Sequence, residues 1–229
     1  DKTNVKKIID INAVESAPRP IRLLSKIKGI ESSNDERVVD WKNFIKSGKT
    51  EEIINDFPYK ENYPASIVHT GGTTGKPKGV LLSNDNFTAV VYETYNTPFN
   101  LERQDKFLNI LVPFVAFGLA LGMHAPMSLG WKSILIPNYT IDKMQKLIRK
   151  YKPQLVMGTQ TYFEPLVDYK KYNYKNTKAM LIGGMPTKAE FEKELNDTIM
   201  NNGGSFMISK GYSMTEASSM GTCSYNKAN

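Results

Sequence analysis

From residue 63 onward, short runs of consecutive apolar residues alternate with longer segments whose apolar positions recur every three or four residues. "ASIVHT" (65–70), "FLNILV" (107–112), "SILIP" (133–137), "QLVMG" (154–158), "KAMLIGG" (178–184) and "SFMIS" (205–209) have strand length and composition. Helical patterns lie between them. One runs from Ser83 to about Tyr95, and another is the apolar stretch beyond Val112. "TIDKMQKLIRKY" (140–151) carries apolar residues at 141, 144, 147 and 148. "TQTYFEPLVDY" (159–169) and "TKAEFEKELNDTIMNN" (187–202) complete the set, the last with Thr187 and Glu190 spaced as a capping box. The strand runs are continuously apolar rather than alternating, which requires cover on both faces. The pattern therefore predicts an α/β fold with a mostly parallel β-sheet flanked by helices. Residues 63–229 are expected to form this α/β core.

Residues 1–62 read differently, as a polar, irregular lead-in. "VKKIIDI" (5–11) and "RVVDW" (37–41) are short strand candidates, and "WKNFIKSG" (41–48) is an amphipathic helix stopped by Gly48. "SAPRP" (16–20) and "GIESSNDE" (29–36) read as loops.

Composition narrows the class. Apolar content of 40% and charged content of 23% are ordinary globular values. One cysteine, Cys223, permits no internal disulfide, and two histidines leave no basis for a structural zinc site. A reducing, cytoplasmic setting fits this usage. "DKTNVKKIID" has no apolar core followed by a cleavage site. Phe107–Trp131 contains no Lys, Arg, Asp or Glu and is long enough to span a bilayer, but Pro113 breaks it early. It reads as a buried strand followed by a buried helix. The net charge of +7 comes from scattered lysines. Its densest patch, "YFEPLVDYKKYNYKNTK" (162–178), mixes tyrosine with lysine, as single-stranded nucleic-acid binders do, but no nucleic-acid motif accompanies it. An exposed connector is the expectation, with no nucleic-acid partner.

The chemistry concentrates in "VHTGGTTGKPKGVLLSN" (68–84). Glycines let the backbone approach a ligand and expose consecutive N–H groups as an anion-binding nest. Thr70, Thr73 and Thr74 add hydroxyls, Lys76 and Lys78 add charge, and Pro77 stiffens the exit. This suits a polyphosphate. The Walker A spacing fails, because Gly75-Lys76 is followed by proline and position 70 is threonine. The dinucleotide fingerprint fails at the same threonine. Ligands of open α/β sheets sit at the carboxyl ends of strands. The Gly/Thr loop, "GGMP" (183–186) and "KGYSMTEA" (210–217) each follow a predicted strand and are expected to share that end.

"TGGTTGKPKGV" (70–80) resembles the phosphate-binding signature of the adenylate-forming superfamily, which includes acyl-CoA synthetases and aryl-CoA ligases. "GYSMTE" (211–216) resembles a second signature of that family at the expected distance, and "LIGGMP" (181–186) its intervening Gly-Gly segment. "LVPFVAFGLALG" (111–122) resembles the segment that carries a gating aromatic or histidine. Gly71 and Ser213 depart from the usual serine and glycine, and the gating histidine is absent, so Phe114 or Phe117 would stand in.

The resemblance implies an ATP-dependent carboxylate–CoA ligase that forms an acyl-adenylate, releases pyrophosphate and then makes a thioester. Its partners would be a small carboxylic acid, ATP with Mg²⁺, and coenzyme A. Thr70, Gly71, Gly72, Thr73, Thr74, Gly75, Lys76 and Lys78 would hold the β- and γ-phosphates. Gly183, Gly184 and Met185 would line the adenine and acyl pockets, and Gly211, Tyr212, Ser213 and Met214 would continue the nucleotide site with Tyr212 stacked on adenine. Thr215 would contact the α-phosphate, Glu216 would bind the metal, and Lys78 would join them in catalysis. His69 and His124 read as structural, His69 being the nearer to the loop. The family's ribose-binding aspartate and its C-terminal lid domain with a catalytic lysine follow this stretch. They are missing here, so the chain resembles a central piece of the large N-terminal domain that is inactive or nearly so by itself. A carrier-protein acceptor in place of coenzyme A, and a non-catalytic nucleotide-binding module, are the alternatives.

Overall fold

The computed structural model describes residues 5–11, 20, 35–48, 58–70, 76–137 and 139–225. The expected loop at 16–19 and most of that at 29–36 lie outside these residues, as do positions 71–75 of the Gly/Thr loop. The chain divides into two compact units, residues 1–59 and residues 60–229.

In the first unit, β1 (Ile8–Asp10) runs parallel to β2 (Val38–Asp40), and α1 (Trp41–Ser47) follows directly. Asp40 caps α1 by accepting a 3.0 Å hydrogen bond from the Asn43 amide, and Gly48 ends it. The Arg37 guanidinium beside Asp35 holds that carboxyl down at about 2.

The second unit is built on a six-stranded sheet in the order β10-β9-β8-β7-β5-β6. Its strands are β5 (Lys106–Asn109), β6 (Lys132–Leu135), β7 (Leu155–Gly158), β8 (Ala179–Gly183), β9 (Ser209–Tyr212) and β10 (Thr222–Cys223). All neighbours are parallel except β10, which returns antiparallel to β9. The continuous apolar runs place side chains alternately on two dry faces. Leu108, Val156, Met180 and Ile182 meet α4 (Met144–Tyr151), α5 (Gln160–Phe163) and α6 (Ala189–Asn201). Phe107, Leu155, Met157 and Leu181 face the other way, onto α2 (Asn84–Tyr95) and the helical segment Gly118–Leu129.

That segment is wound as a π-helix over Gly118–His124 before α3 (Ala125–Leu129). The Ala125 amide reaches back five residues to Ala120 O, and Pro126, which follows, has no N–H to continue the ladder. The side chain of buried Asn109 on β5 supplies one instead, with Nδ2 donating to Gly122 O at 2.5 Å and to Ser133 Oγ at 3.2 Å. Gly118 is required by space, because a Cβ there would sit 1.8 Å from Val112 O. Among the described residues no helix is long and apolar enough to cross a membrane.

Four expectations need correction, the first being the exposed connector at 162–178, whose Phe163, Leu166, Tyr169, Tyr172 and Tyr174 are buried in the core. The strand that precedes the Gly/Thr loop is not part of the parallel sheet. It is β3 (Pro64–His69), paired antiparallel with β4 (Gly79–Ser83) in a separate two-stranded ribbon. "GVLLS" reads as a loop exit because it is short, starts with glycine and runs straight into the Ser83 cap. The ribbon is nonetheless fixed to the domain, with Val68 and Leu82 buried in the core beside α2. Next, the last parallel strand is Ser209–Tyr212 rather than 205–209, so Gly211 and Tyr212 are strand residues. Finally, α6 begins at Ala189 without a side-chain cap from Thr187, because Gln160 Oε1 on α5 accepts from the Lys188 amide at 2.9 Å.

Candidate functional site

The site is assembled at the carboxyl ends of β8 and β9. Gly183 and Gly211 lie opposite each other, close enough that a Cβ on Gly183 would come within 3.1 Å of Gly211 O. Gly184 turns the chain away with φ +80°, a conformation that costs most other residues strain. The result is bare backbone along two adjacent strand ends. Met185 and Met214 stand exposed beside it, and Tyr212 is 65% exposed, which leaves its ring uncovered. Ser213 is half-buried in the same strand end.

Beyond Met214 the chain folds back on itself. Thr215–Ala217 form one 3₁₀ turn, and the amides of Ala217 and Ser219 both donate to Met214 O. Glu216 points from this turn as an exposed carboxylate, next to a half-buried Thr215. Ser218 and Ser219 take φ values of +54° and +106°. Ser219 is buried, and its hydroxyl has no hydrogen-bond partner in the described structure. It lines a cavity of about 10 Å³ together with Phe117, Leu121, Gly183, Gly211 and Met220. That is room for one water-sized group. Sequence reasoning missed Ser219, Met220 and Leu121. The neighbouring signature was the available signal, but backbone angle and burial single them out.

The ribbon that carries the neck of the Gly/Thr loop reaches the same place. β4 lies against the turn Thr215–Ala217. Thr70 and Lys78 close the loop's neck, with the Thr70 amide donating to Lys78 O at 2.9 Å and the Lys78 amide to Thr70 Oγ1 at 3.2 Å. Lys76 and Lys78 are exposed, while Gly71, Gly72, Thr73, Thr74 and Gly75 lie outside the described residues. Of the two aromatic candidates for the gate, Phe117 lines the small cavity beside Gly183 and Tyr212. Phe114 instead lines a separate apolar cleft of about 740 Å³, with Met123, Met127, Trp131 and Leu135, between β6 and the 118–129 helix. That cleft lies at the carboxyl ends of β5 and β6, toward the β6 edge of the sheet, and no residue of β8 or β9 lines it.

His69 ends β3 beside Gly79, and His124 stacks edge-on against Phe87 in the core, so neither joins the strand-end cluster. Cys223 sits behind Gly211 on β10, and burial pushes its thiol up to about 11. A thiol so protonated is a packing group rather than a nucleophile. Among the described residues no three His, Cys, Asp or Glu gather as a metal cage.

The AMP-binding enzyme model matches residues 3–229, essentially the whole chain. The chain belongs to the AMP-binding enzyme family. Among curated relatives, a long-chain-fatty-acid–CoA ligase of Bacillus subtilis is 30% identical over 178 residues, covering 76% of this chain and 31% of that protein. A 4-coumarate–CoA ligase of Arabidopsis thaliana is 23% identical over 195 residues, covering 82% and 33%. A solved long-chain-fatty-acid–CoA ligase of Archaeoglobus fulgidus superposes with a TM-score of 0.70 at 20% identity, over 95% of this chain and 44% of that one. This last likeness shows a shared fold. The chain spans about a third of the length of the curated relatives it matches.

Proposed function

We propose that this AMP-binding chain supplies the nucleotide side of an AMP-forming carboxylate–thiol ligase, and that its substrates are ATP, a carboxylic acid and coenzyme A. The observation that carries this reading is the meeting of two bare strand ends, the Thr215–Glu216 turn and the ribbon that bears the Gly/Thr loop. The exposed Tyr212 ring offers a flat face for adenine, and Gly183 and Gly184 leave room for the nucleotide to lie against backbone. The loop closed by Thr70 and Lys78 takes the β- and γ-phosphates, with Gly71 to Gly75 as the nest and Lys76 and Lys78 as its charge. Thr215 contacts the α-phosphate.

In the first step a carboxylate oxygen bonds to the α-phosphorus, and the bond from that phosphorus to the bridging oxygen breaks, so pyrophosphate leaves. In the second a thiol sulfur bonds to the acyl carbon and AMP leaves. Both partners in the first step are anions. The work of this chain is to hold them together against repulsion with fixed N–H groups and lysine charge. One carboxylate, Glu216, suits Mg²⁺, which binds through one or two carboxylates plus substrate phosphates rather than through a protein cage. When bound, Mg²⁺ would neutralise phosphate charge. Phe117, Leu121 and Ser219 border the space where the acyl group meets the phosphate.

The test is carboxylate-dependent ATP–pyrophosphate exchange by the gene product, run against acids from acetate to long-chain and aromatic. Exchange with one acid class that drops at least 100-fold in Glu216→Ala, with ATP binding retained, is expected. ATP binding with no exchange for any acid would replace this reading with a non-catalytic nucleotide-binding module. Transfer to a carrier-protein thiol but not to coenzyme A would change the acceptor.

A further inference from the structure

The net charge of this protein is not spread evenly. Residues 141–180 hold nine Lys and Arg against three Asp and Glu, a surplus of six, whereas the other 189 residues hold 21 against 20. Four of these cations, Arg149, Lys152, Lys171 and Lys175, line one concave basin of about 400 Å³ together with Tyr172, Asn173 and Asn176. Among the described residues no carboxylate lines it. Among the described residues none of the four cations makes an ion pair, whereas Lys178 pairs with Asp105 at 2.9 Å and Lys210 with Glu192 at 2.6 Å.

Local structure explains how four like charges are held together. The carboxyl end of α4 opens into the basin, and its negative dipole end favours cations in the last turn. The residue that ends α4 is Lys152 itself, at φ +48°. Glycine or asparagine is the usual choice at such a left-handed position. A lysine there accepts backbone strain and adds charge to the basin. Asn173 fixes the opposite wall by accepting from the Lys175 amide at 2.9 Å, and Tyr172 is anchored behind it by a 3.0 Å hydrogen bond to Thr177. One wall is therefore backed by the buried Tyr172–Thr177 pair, and the four charges line one hollow.

The basin lies at the amino ends of β7 and β8, which start just after Pro153 and Lys178. The proposed nucleotide site lies at their carboxyl ends. The five residues of β8 separate the two by about 16 Å. We propose that this basin is a second anion site, for a ligand that presents one or two phosphate groups, distinct from the nucleotide site. The same phosphate chemistry is offered by a free phosphorylated metabolite and by the headgroup of an anionic lipid.

Two probes separate these sources. Inorganic pyrophosphate is titrated into the isotope-labelled protein at physiological salt, and amide resonances of 149–152 and 171–176 are followed. Saturable shifts are expected there, weakened at least tenfold in R149E/K171E/K175E. Because all three side chains are exposed, the fold is expected to survive, and the neutral R149Q/K171Q/K175Q variant should lose binding in the same direction. In the second arm, phosphatidylglycerol vesicles are sedimented with protein, against phosphatidylcholine vesicles. Sedimentation with phosphatidylglycerol alone, lost in the variants, assigns the site to a lipid headgroup. Pyrophosphate shifts without vesicle binding assign it to a free ligand. Absence of both, or shifts that the variants retain, would overturn the proposal. So would single-stranded DNA bound far more tightly than either probe, which would make the basin a nucleic-acid surface.

Discussion

Asn109 is the most informative residue to change, because its side chain completes a helix from which Pro126 has removed a donor. Its Nδ2 donates to Gly122 O at 2.5 Å, and its Oδ1 accepts from the Leu111 amide at 3.2 Å. Asn109→Leu keeps the branched outline of the side chain and removes both bonds, along with the one to Ser133 Oγ on exposed β6. The Gly122 carbonyl is buried and would be left without that donor, while Leu111 is half-buried and regains some water. Two such groups cost about 2–4 kcal/mol. Burying the leucine returns about 1 kcal/mol. A net loss of about 1–3 kcal/mol is expected. With a urea slope of about 2–3 kcal/mol/M, the midpoint should fall by about 1 M at unchanged slope. Fluorescence of Trp131 follows this unfolding, because it is 9% exposed and packs edge-on to Phe107, the residue two before Asn109.

The decisive control is Pro126→Ala, which restores an amide to the helix ladder close to the Gly122 carbonyl. In that background Asn109→Leu should cost about 1–2 kcal/mol less. Equal cost in both backgrounds, or a cost below 1 kcal/mol with Pro126 present, would refute the compensation.

Three further outcomes are expected. Gly184→Ala has room for its methyl, with Thr159 Cγ2 the nearest atom at 3.7 Å, but must adopt φ +80°, so it should lose about 1–2 kcal/mol of stability and at least tenfold in ATP affinity by calorimetry. Ser219→Ala removes a buried hydroxyl without a partner, so its urea midpoint should stay level or rise by up to about 1 kcal/mol equivalent, while its preference among acids in pyrophosphate exchange changes. The Cys223 thiol is raised to about 11 from an ordinary value near 9.0, so the folded form holds its proton more tightly than the unfolded one. That contribution to stability is fully present below pH 9 and lost as pH rises through 11, and iodoacetamide labelling of native protein should stay slow until that range. Rapid labelling at pH 8 would contradict the burial of Cys223.

Sequence reasoning reads the sheet well because its information is local. Val156, Met180 and Ile182 on one face and Leu155, Met157 and Leu181 on the other are buried whatever their neighbours do, so runs without alternation announce a covered parallel strand. The ribbon is a different case. β4 exists because Val80 and Leu81 pair with Val68 and Ile67 across a loop, and five residues headed by glycine carry no such instruction alone. The same holds for the start of α6, where the amide of the cap residue Lys188 is satisfied by Gln160, 28 residues upstream. Contacts that supply a missing partner from far along the chain leave no periodic trace.

The site divides along the same line. Gly183, Gly184 and Gly211 are conspicuous in sequence because a missing side chain is visible there, and the structure shows two of them face to face. Ser218 and Ser219 look ordinary as letters. What distinguishes them is positive φ and, for Ser219, a buried hydroxyl without a partner, both set by the turn that follows Glu216. The four basin cations are equally plain in sequence, being lysines and an arginine among many. Segments far apart in the chain bring them together, since Lys152 ends α4 and Lys171 and Lys175 precede β8. Parallel topology places both segments at the amino end of the sheet, and the Gly-Gly and Tyr-Ser-Met-Thr-Glu segments at the other. The directionality that gathers uncharged backbone at one edge thus gathers cations without ion pairs at the opposite one, so the two proposed anion sites would differ in construction on a single sheet.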